Sequence, residues 1–415
     1  MKFAYLCSDV EIPLFGSEGC SIHIREVVDA LTELGHEVVL FCASRGDSER
    51  VSVQAPVYSF EPADIAGLAL RYLQEEPVIQ NHHLDRDLTA LAFNWWMQGE
   101  GLSILDREKP DVLYERYALF GWAGLQVSRQ RGLPLMLEVN SPLRREQTGY
   151  DKFVLTRMAE LVELDVLRNA AAILPVSRWL KEWIVEQGVG PERIHVMPNG
   201  VAERHFVGKP SGDIVRERWG LNGKRVIGYV GSFQTWHDLS GLLEAFQELY
   251  REDPDLRLML VGHGENHGQI ARKVKAAGLS DVVILTGAVP FEAVPSNIAA
   301  MDVPVVPYSK VSDFYFSPIK LFECMAAGRP VVAAATGQIA EIVEHGKTGW
   351  LYEPGSTPGL IDGVRRLLYS PELGAQIGQA GRDLILANYT WKGIAKRIAE
   401  LACDLTCRRK ASLAQ

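Results

Sequence analysis

The chain is poor in cysteine, has no excess of positive charge and contains no long apolar run. Its 415 residues include six cysteines, Cys7, Cys20, Cys42, Cys324, Cys403 and Cys407, and none of them form a C-x-x-C pair. Four of the six lie in or beside apolar runs, where a reduced thiol behaves as a small hydrophobe. That usage excludes a disulfide scaffold and fits a reducing compartment. A formal net charge of −9 and a pI near 5.7 exclude binding to nucleic acid through a general basic field. A local basic site for a small phosphorylated ligand stays compatible with them. No stretch reaches the roughly 18 apolar residues that a membrane-spanning helix needs. The opening MKFAYLCSDVEIPLFG is interrupted by Asp9 and Glu11, so it reads as a first strand and not as a signal peptide. The expected location is cytoplasmic, with peripheral contact at the inner membrane left open.

What is present is a strongly patterned globular sequence. Hydrophobic residues make up 47% and charged residues 23%, which suits a sizeable core. Short apolar strands alternate with amphipathic helices. Strands are predicted at Lys2–Cys7, Glu37–Cys42, Val112–Tyr114, Leu135–Val139 and Ala172–Val176, with a helix over Ile22–Leu34. A loop is placed around Gln80–His83, and the aromatics Phe93, Trp95 and Trp96 nearby read more readily as core than as a sugar platform. The polar stretch Gly208–Gly220 reads as a linker. A second series of strands follows at Arg225–Val230, Leu256–Val261, Val282–Thr286, Val303–Pro307 and Pro330–Ala334. The alternation implies an α/β protein of two doubly wound, Rossmann-like domains facing across a cleft. The expected division is 1–207, 208–390 and a C-terminal helix in 391–415 that packs on either domain.

Three loops carry candidate chemistry. In the first, Gly16 and Gly19 precede a helix that Ser21 is placed to cap, an arrangement open to an anion and equally an ordinary turn. In the second, Gly262, Gly264 and Gly268 follow a strand. Their spacing is not that of a dinucleotide fingerprint, and no acid follows the next strand, so a nicotinamide cofactor is disfavoured. A strand-end loop able to touch a nucleotide survives. His263 and His267 in that loop have no third ligand nearby and read as polar loop residues.

The third stretch is FYFSPIKLFECMAAGRP, from Phe314 to Pro330. Ser317 as N-cap and Pro318 at the first position predict a helix start, with Gly328 as its C-terminal cap. Following a strand, the helix N-terminus should lie at the carboxyl edge of the sheet, where such folds bind ligands. Free N–H groups at Ile319 and Lys320 would face a diphosphate. Lys320 and Glu323 are three apart and share a face, which suits phosphate and ribose, and suits an ordinary surface ion pair as well.

Taken together, FSPIKLFECMAAGRPVVAA, GHEVVLF, PVSRWL, VMPNGV, VIGYVGSF and GKTGWLYEPG resemble glycosyltransferase family 4, whose fold is GT-B, over almost the whole chain. The resemblance implies transfer of a sugar from a UDP-, GDP- or ADP-sugar to a glycan, lipid or small-molecule hydroxyl, with retention and with no metal or other cofactor. It makes Glu323 and Gly16 catalytic candidates, with Lys320 as the cation that compensates for lost charge; Glu138, at its strand end, is read as a base or as a structural hydrogen-bond partner. It assigns the donor to Gly231, Ser232, His237, Gly262, Gly264 and to Phe316, Ser317, Pro318 and Ile319. Asn140, Arg116 and Glu115 fall on the acceptor side. The chain also departs from the family. Tyr315 stands where the first acid of the E-x7-E pair belongs, and Ser232 and His237 replace the usual Arg and Lys, so fixed charge is lost there unless His237 is protonated. Asn140 follows the strand where many members carry a His. An epimerase or hydrolase on the same scaffold, and a non-catalytic sugar-nucleotide binder, are the alternatives.

Overall fold

A computed structural model describes residues 1–47, 51–60, 82–148, 153–310 and 313–413. The chain divides into two compact units. The first comprises Met1–Pro198, Tyr315–Ser317 and Trp391–Gln415, and the second Asn199–Phe314 and Pro318–Thr390.

The first unit holds β1 (Lys2–Cys7), β2 (Glu37–Cys42), β3 (Val57–Ser59), β4 (Val112–Arg116), β5 (Leu135–Val139) and β6 (Ala172–Pro175). They form one parallel sheet in the order β3-β2-β1-β4-β5-β6. The second unit holds β7 (Arg225–Val230), β8 (Leu256–Val261), β9 (Val283–Gly287), β10 (Val303–Val306), β11 (Val332–Ala334) and β12 (Trp350–Tyr352). Its order, β12-β11-β10-β7-β8-β9, repeats the same winding. In both sheets the chain starts in the middle, winds out one way and returns to wind out the other. Each sheet thus has a switch point, between β1 and β4 and between β7 and β10, and crevices at switch points are where open α/β sheets take ligands. The central strands read as near-continuous apolar runs because helices cover both faces. Val226, Ile227 and Tyr229 of β7 are each at most 1% exposed.

Several expectations change. Asn199, and not Gly208, begins the second unit. The physical reason is that Val201 N–H donates to Tyr389 O at 2.9 Å and the Phe206 carbonyl accepts from the buried Arg382 at 2.6 Å. The helix Trp391–Leu413 is longer than the sequence suggests and packs on the helix Gly19–Glu33, with the Trp391 ring 4.8 Å from that of His23. The Gln80–His83 loop lies partly outside the described residues, and from His82 the chain is helical to Trp96. Phe93 is fully buried and Trp96 packs with it, whereas Trp95 is 64% exposed. β3 and β12 escaped the sequence reading because each is a three-residue edge strand with too few residues to show alternation.

Candidate functional site

In the second unit the site grows from the ends of β7 and β10. Beyond β10 the chain reaches the helix Ile319–Ala326. Ser317 does not cap it. Pro318 holds an extended backbone and is itself the N-cap residue, with no side-chain cap, and its carbonyl accepts from Leu321 N at 3.0 Å. Ser317 is buried and grouped, with Tyr315 and Phe316, in the first unit. There the Tyr315 carbonyl accepts from Ser177 Oγ at 2.8 Å and its ring lies 5.9 Å from that of Trp179. Tyr315, in the place of the family's acid, is thus used in packing.

Lys320 turns inward from the first turn of its helix. Its Nζ donates to Tyr229 Oη at 2.9 Å and to His237 Nε2 at 2.8 Å. It also lies over the ring faces of Tyr229 and Tyr308, at 4.7 and 5.6 Å from their centroids. Burial pushes its ammonium down to about 7, with Cys324 and Glu323 opposing. Burial and the neighbouring ammonium push His237 down to about 2. His237 is therefore neutral, and the second cation that a protonated His237 would supply is not available. Glu323, one turn along the helix, is buried at 8% exposure.

The glycines here are required by close approach. A Cβ on Gly231, whose φ is +136°, would lie 2.8 Å from Lys320 Nζ, and one on Gly262 would lie 2.0 Å from the Gly231 carbonyl oxygen. A Cβ on Gly264 would meet Phe233 N at 2.7 Å. The loops after β7 and β8 are laced by Gly231 N–H to Val261 O, Phe233 N–H to His263 O and Asn266 N–H to Phe233 O, each 3.0 Å. Beside them a polar pocket is lined by Gln234, His237, Asp238, Asn266 and Gln269. His263 and His267 stack on one another with centroids 4.6 Å apart.

In the first unit the carboxyl ends of β4 and β5 hold a buried ionic hub. Glu138 Oε1 accepts from Arg116 Nη1 at 2.7 Å and Asn140 Nδ2 at 2.6 Å. Its Oε2 accepts from Tyr114 Oη at 2.8 Å and His23 Nε2 at 3.0 Å. Burial raises the Glu138 carboxyl, but His23, Arg116 and Asn140 outweigh it and hold the group well below the usual carboxylate range. A carboxylate so fully engaged is a poor proton acceptor, which favours the structural reading of Glu138 over the base. Glu115 is corrected too. It lies on the opposite face of β4 from Arg116, is 1% exposed, and packs on the N-terminus of the helix Ala123–Arg131 with Gly124 N 3.4 Å away. Burial pushes it up to about 8, and no acceptor molecule can reach it.

The loop at Gly16 is tightly built. A Cβ there would lie 2.7 Å from Ser21 Oγ, which donates to Pro13 O at 2.6 Å and is not the helix cap; the helix starts at Gly19 after Glu18. Arg25, buried, donates to the carbonyls of Leu14 and Gly16 at 2.6 and 2.8 Å. Tyr229, His23 and Arg25 were not singled out in the sequence. The one available signal was a lone phenol closing the aliphatic strand RVIGYV. Among the described residues there is no group of three or more His, Cys, Asp or Glu arranged to hold a metal ion.

Residues 18–200 match the model of a glycosyl transferase 4-like domain, and residues 224–370 that of the glycosyl transferases group 1. The α-D-kanosaminyltransferase of Streptomyces kanamyceticus is 28% identical over 66% of this chain and 71% of its own length. The GDP-mannose-dependent α-(1-6)-phosphatidylinositol monomannoside mannosyltransferase of Mycolicibacterium smegmatis is 30% identical over 59% of this chain and 64% of its own. Among solved structures, sucrose-phosphate synthase from Thermosynechococcus elongatus superposes with a TM-score of 0.75 at 21% identity, covering 98% of this chain and 100% of that one. Anabaena HepE in complex with UDP-glucose superposes with a TM-score of 0.72 at 18% identity, covering 97% and 100%. The chain is a glycosyltransferase of the two-domain α/β GT-B fold, and it is of the family 4 kind. No helix among the described residues is long and apolar enough to cross a membrane.

Proposed function

We propose that the chain transfers a sugar from a nucleotide-sugar to a hydroxyl acceptor with retention of anomeric configuration and without a metal cofactor. The observation that carries this reading is the half-buried Lys320 ammonium at the β7/β10 switch point, held by neutral partners and bordered by glycine backbone. Its hydrogen-bond partners Tyr229 and His237 are neutral, so the ammonium charge is available to an anionic ligand. The donors in the names of two relatives and neighbours, a GDP-mannose and a UDP-glucose, support a nucleotide-sugar here.

In this reading Lys320 and the free N–H groups opening its helix stabilise charge on the departing diphosphate. Glu323 accepts from the donor ribose. The backbone at Gly231, Ser232, Gly262 and Gly264, with His237, shapes the diphosphate and sugar pocket. Pro318 and Ile319, at the start of the same helix, complete the donor contacts of the second unit. Arg116 and Asn140, fixed by Glu138, belong to the acceptor side. The diphosphate itself takes the acceptor's proton on the face it leaves, so no enzyme nucleophile or base is needed. The acceptor is a glycan, lipid or small-molecule hydroxyl.

Incubation with radiolabelled UDP-, GDP- and ADP-sugars, with and without an acceptor panel, tests the reading. Labelled glycoside with the donor's anomeric configuration is the expected product. Inverted product overturns retention, free sugar in every reaction indicates a hydrolase, and a new sugar nucleotide indicates an epimerase.

A further inference from the structure

The Tyr229 hydroxyl is buried at the end of β7 and meets three groups. Ser232 O lies 2.6 Å away, His237 Nδ1 2.9 Å and Lys320 Nζ 2.9 Å. The direction of each hydrogen bond follows from one fact, that an ammonium only donates. His237 Nε2, 2.8 Å from Lys320 Nζ, must therefore accept, so the ring proton sits on Nδ1. That N–H points to Ser232 O at 2.7 Å. The phenol proton also goes to Ser232 O, which leaves the phenol oxygen's lone pairs for Lys320. Of the three ammonium protons, two are engaged by Tyr229 and His237. Beside the third there is room, because Gly231 lacks the Cβ that would lie 2.8 Å from Nζ.

We infer that Tyr229 is a positioning residue of the donor site. Its hydroxyl and the neutral, Nδ1-protonated His237 together hold the Lys320 ammonium in one orientation and leave one N–H for the donor diphosphate. Lys320 is thereby the aimed cation of this pair, and His237 serves as a neutral acceptor. This rests on the diphosphate reading above. The other groups facing Lys320 are the Tyr308 ring and, from its own helix, Cys324 and Glu323. Neither Tyr308 nor Cys324 is charged at neutral pH, since burial pushes both of them up.

Tyr229→Phe keeps the ring face under Lys320 and removes only the hydroxyl. Binding of UDP, GDP and ADP is followed by calorimetry over roughly pH 6–9, with kcat, KM and thermal midpoint measured alongside. The hydroxyl stabilises the ammonium, so its loss should move the pH above which affinity falls to lower values by about half a unit or more. Turnover should fall by about tenfold with a smaller change in KM. An unchanged pH midpoint and kcat in a folded variant overturns the inference. Should Tyr229→Phe not fold, the His237 pair decides. His237→Gln can still donate to Ser232 and accept from Lys320, so it should recover about tenfold in kcat/KM over His237→Ala. No recovery overturns a neutral, positioning His237. Lys320→Ala separates the two levels. Lost nucleotide binding there with an unmoved Tyr229→Phe profile sinks only this inference. Intact binding in Lys320→Ala, or no binding of any of the three nucleotides to the wild type, sinks the diphosphate reading and this inference with it.

Discussion

The Nζ of Lys320 lies 2.8 Å from Nε2 of His237, so a half-buried ammonium donates to a buried imidazole that is held neutral. A protonated imidazole would present an N–H to the ammonium, and the two positive charges would repel within hydrogen-bond distance. Of these two side chains, Lys320 alone is therefore a cation, and His237 stays neutral.

The first prediction concerns that cation. Lys320→Ala and Glu323→Ala should each lower transfer by more than about tenfold, roughly 1.4 kcal/mol in the barrier. Steady-state turnover with the preferred donor checks this, and near-normal rates in both variants would remove the site assignment.

The second concerns pH. Lys320 sits near 7 in the free protein, and a bound diphosphate should raise it. Nucleoside diphosphate binding should then take up protons near neutrality and weaken as pH rises above about 7. Calorimetry in two buffers of different ionisation enthalpy measures the uptake directly. Folding alone runs the other way. The unfolded lysine keeps its proton to about 10.4. Between the folded and unfolded values the unfolded state binds more protons, so this group's contribution to stability grows with pH.

The third concerns Glu115, whose burial pushes it up to about 8 against Gly124. Its folded value lies above the unfolded one, so its contribution is fully present below about pH 4.3 and is lost as pH rises through 8. Glu115→Gln removes the titration. It should therefore gain stability over the wild type by about 1 kcal/mol or more as pH rises to 8–9, read from denaturant midpoints. A gap independent of pH would contradict the burial argument.

The fourth separates structure from catalysis at Glu138. Its four donors, Arg116, Asn140, Tyr114 and His23, make it the hub of the β4 and β5 ends. Glu138→Gln leaves Arg116 buried without its carboxylate and should cost about 3–5 kcal/mol of stability. A variant with wild-type stability and intact nucleotide binding but no transfer would restore Glu138 as a base.

Much of this was legible in the sequence. Near-continuous apolar runs such as RVIGYV and LRLMLV set the parallel strands, because a strand covered on both faces is apolar over most of its length. The two series of such strands set two doubly wound domains. Lys320 and Glu323 were singled out as candidates because a Pro-led helix after a strand has a known place at the sheet edge. What the sequence could not decide was partnership between distant residues. Tyr229, His237 and Lys320 are up to 91 positions apart, and nothing in their spacing says that one proton pattern joins them. Glu115 and Arg116 are neighbours in sequence, yet strand alternation turns one to a closed face and the other into the Glu138 hub. The sequence by itself determined most of the elements, because periodicity is local, but the caps it proposed at Ser21 and Ser317 did not form. Only the tertiary structure decided which charges survive, because burial and hydrogen-bond direction depend on what the fold packs against each group.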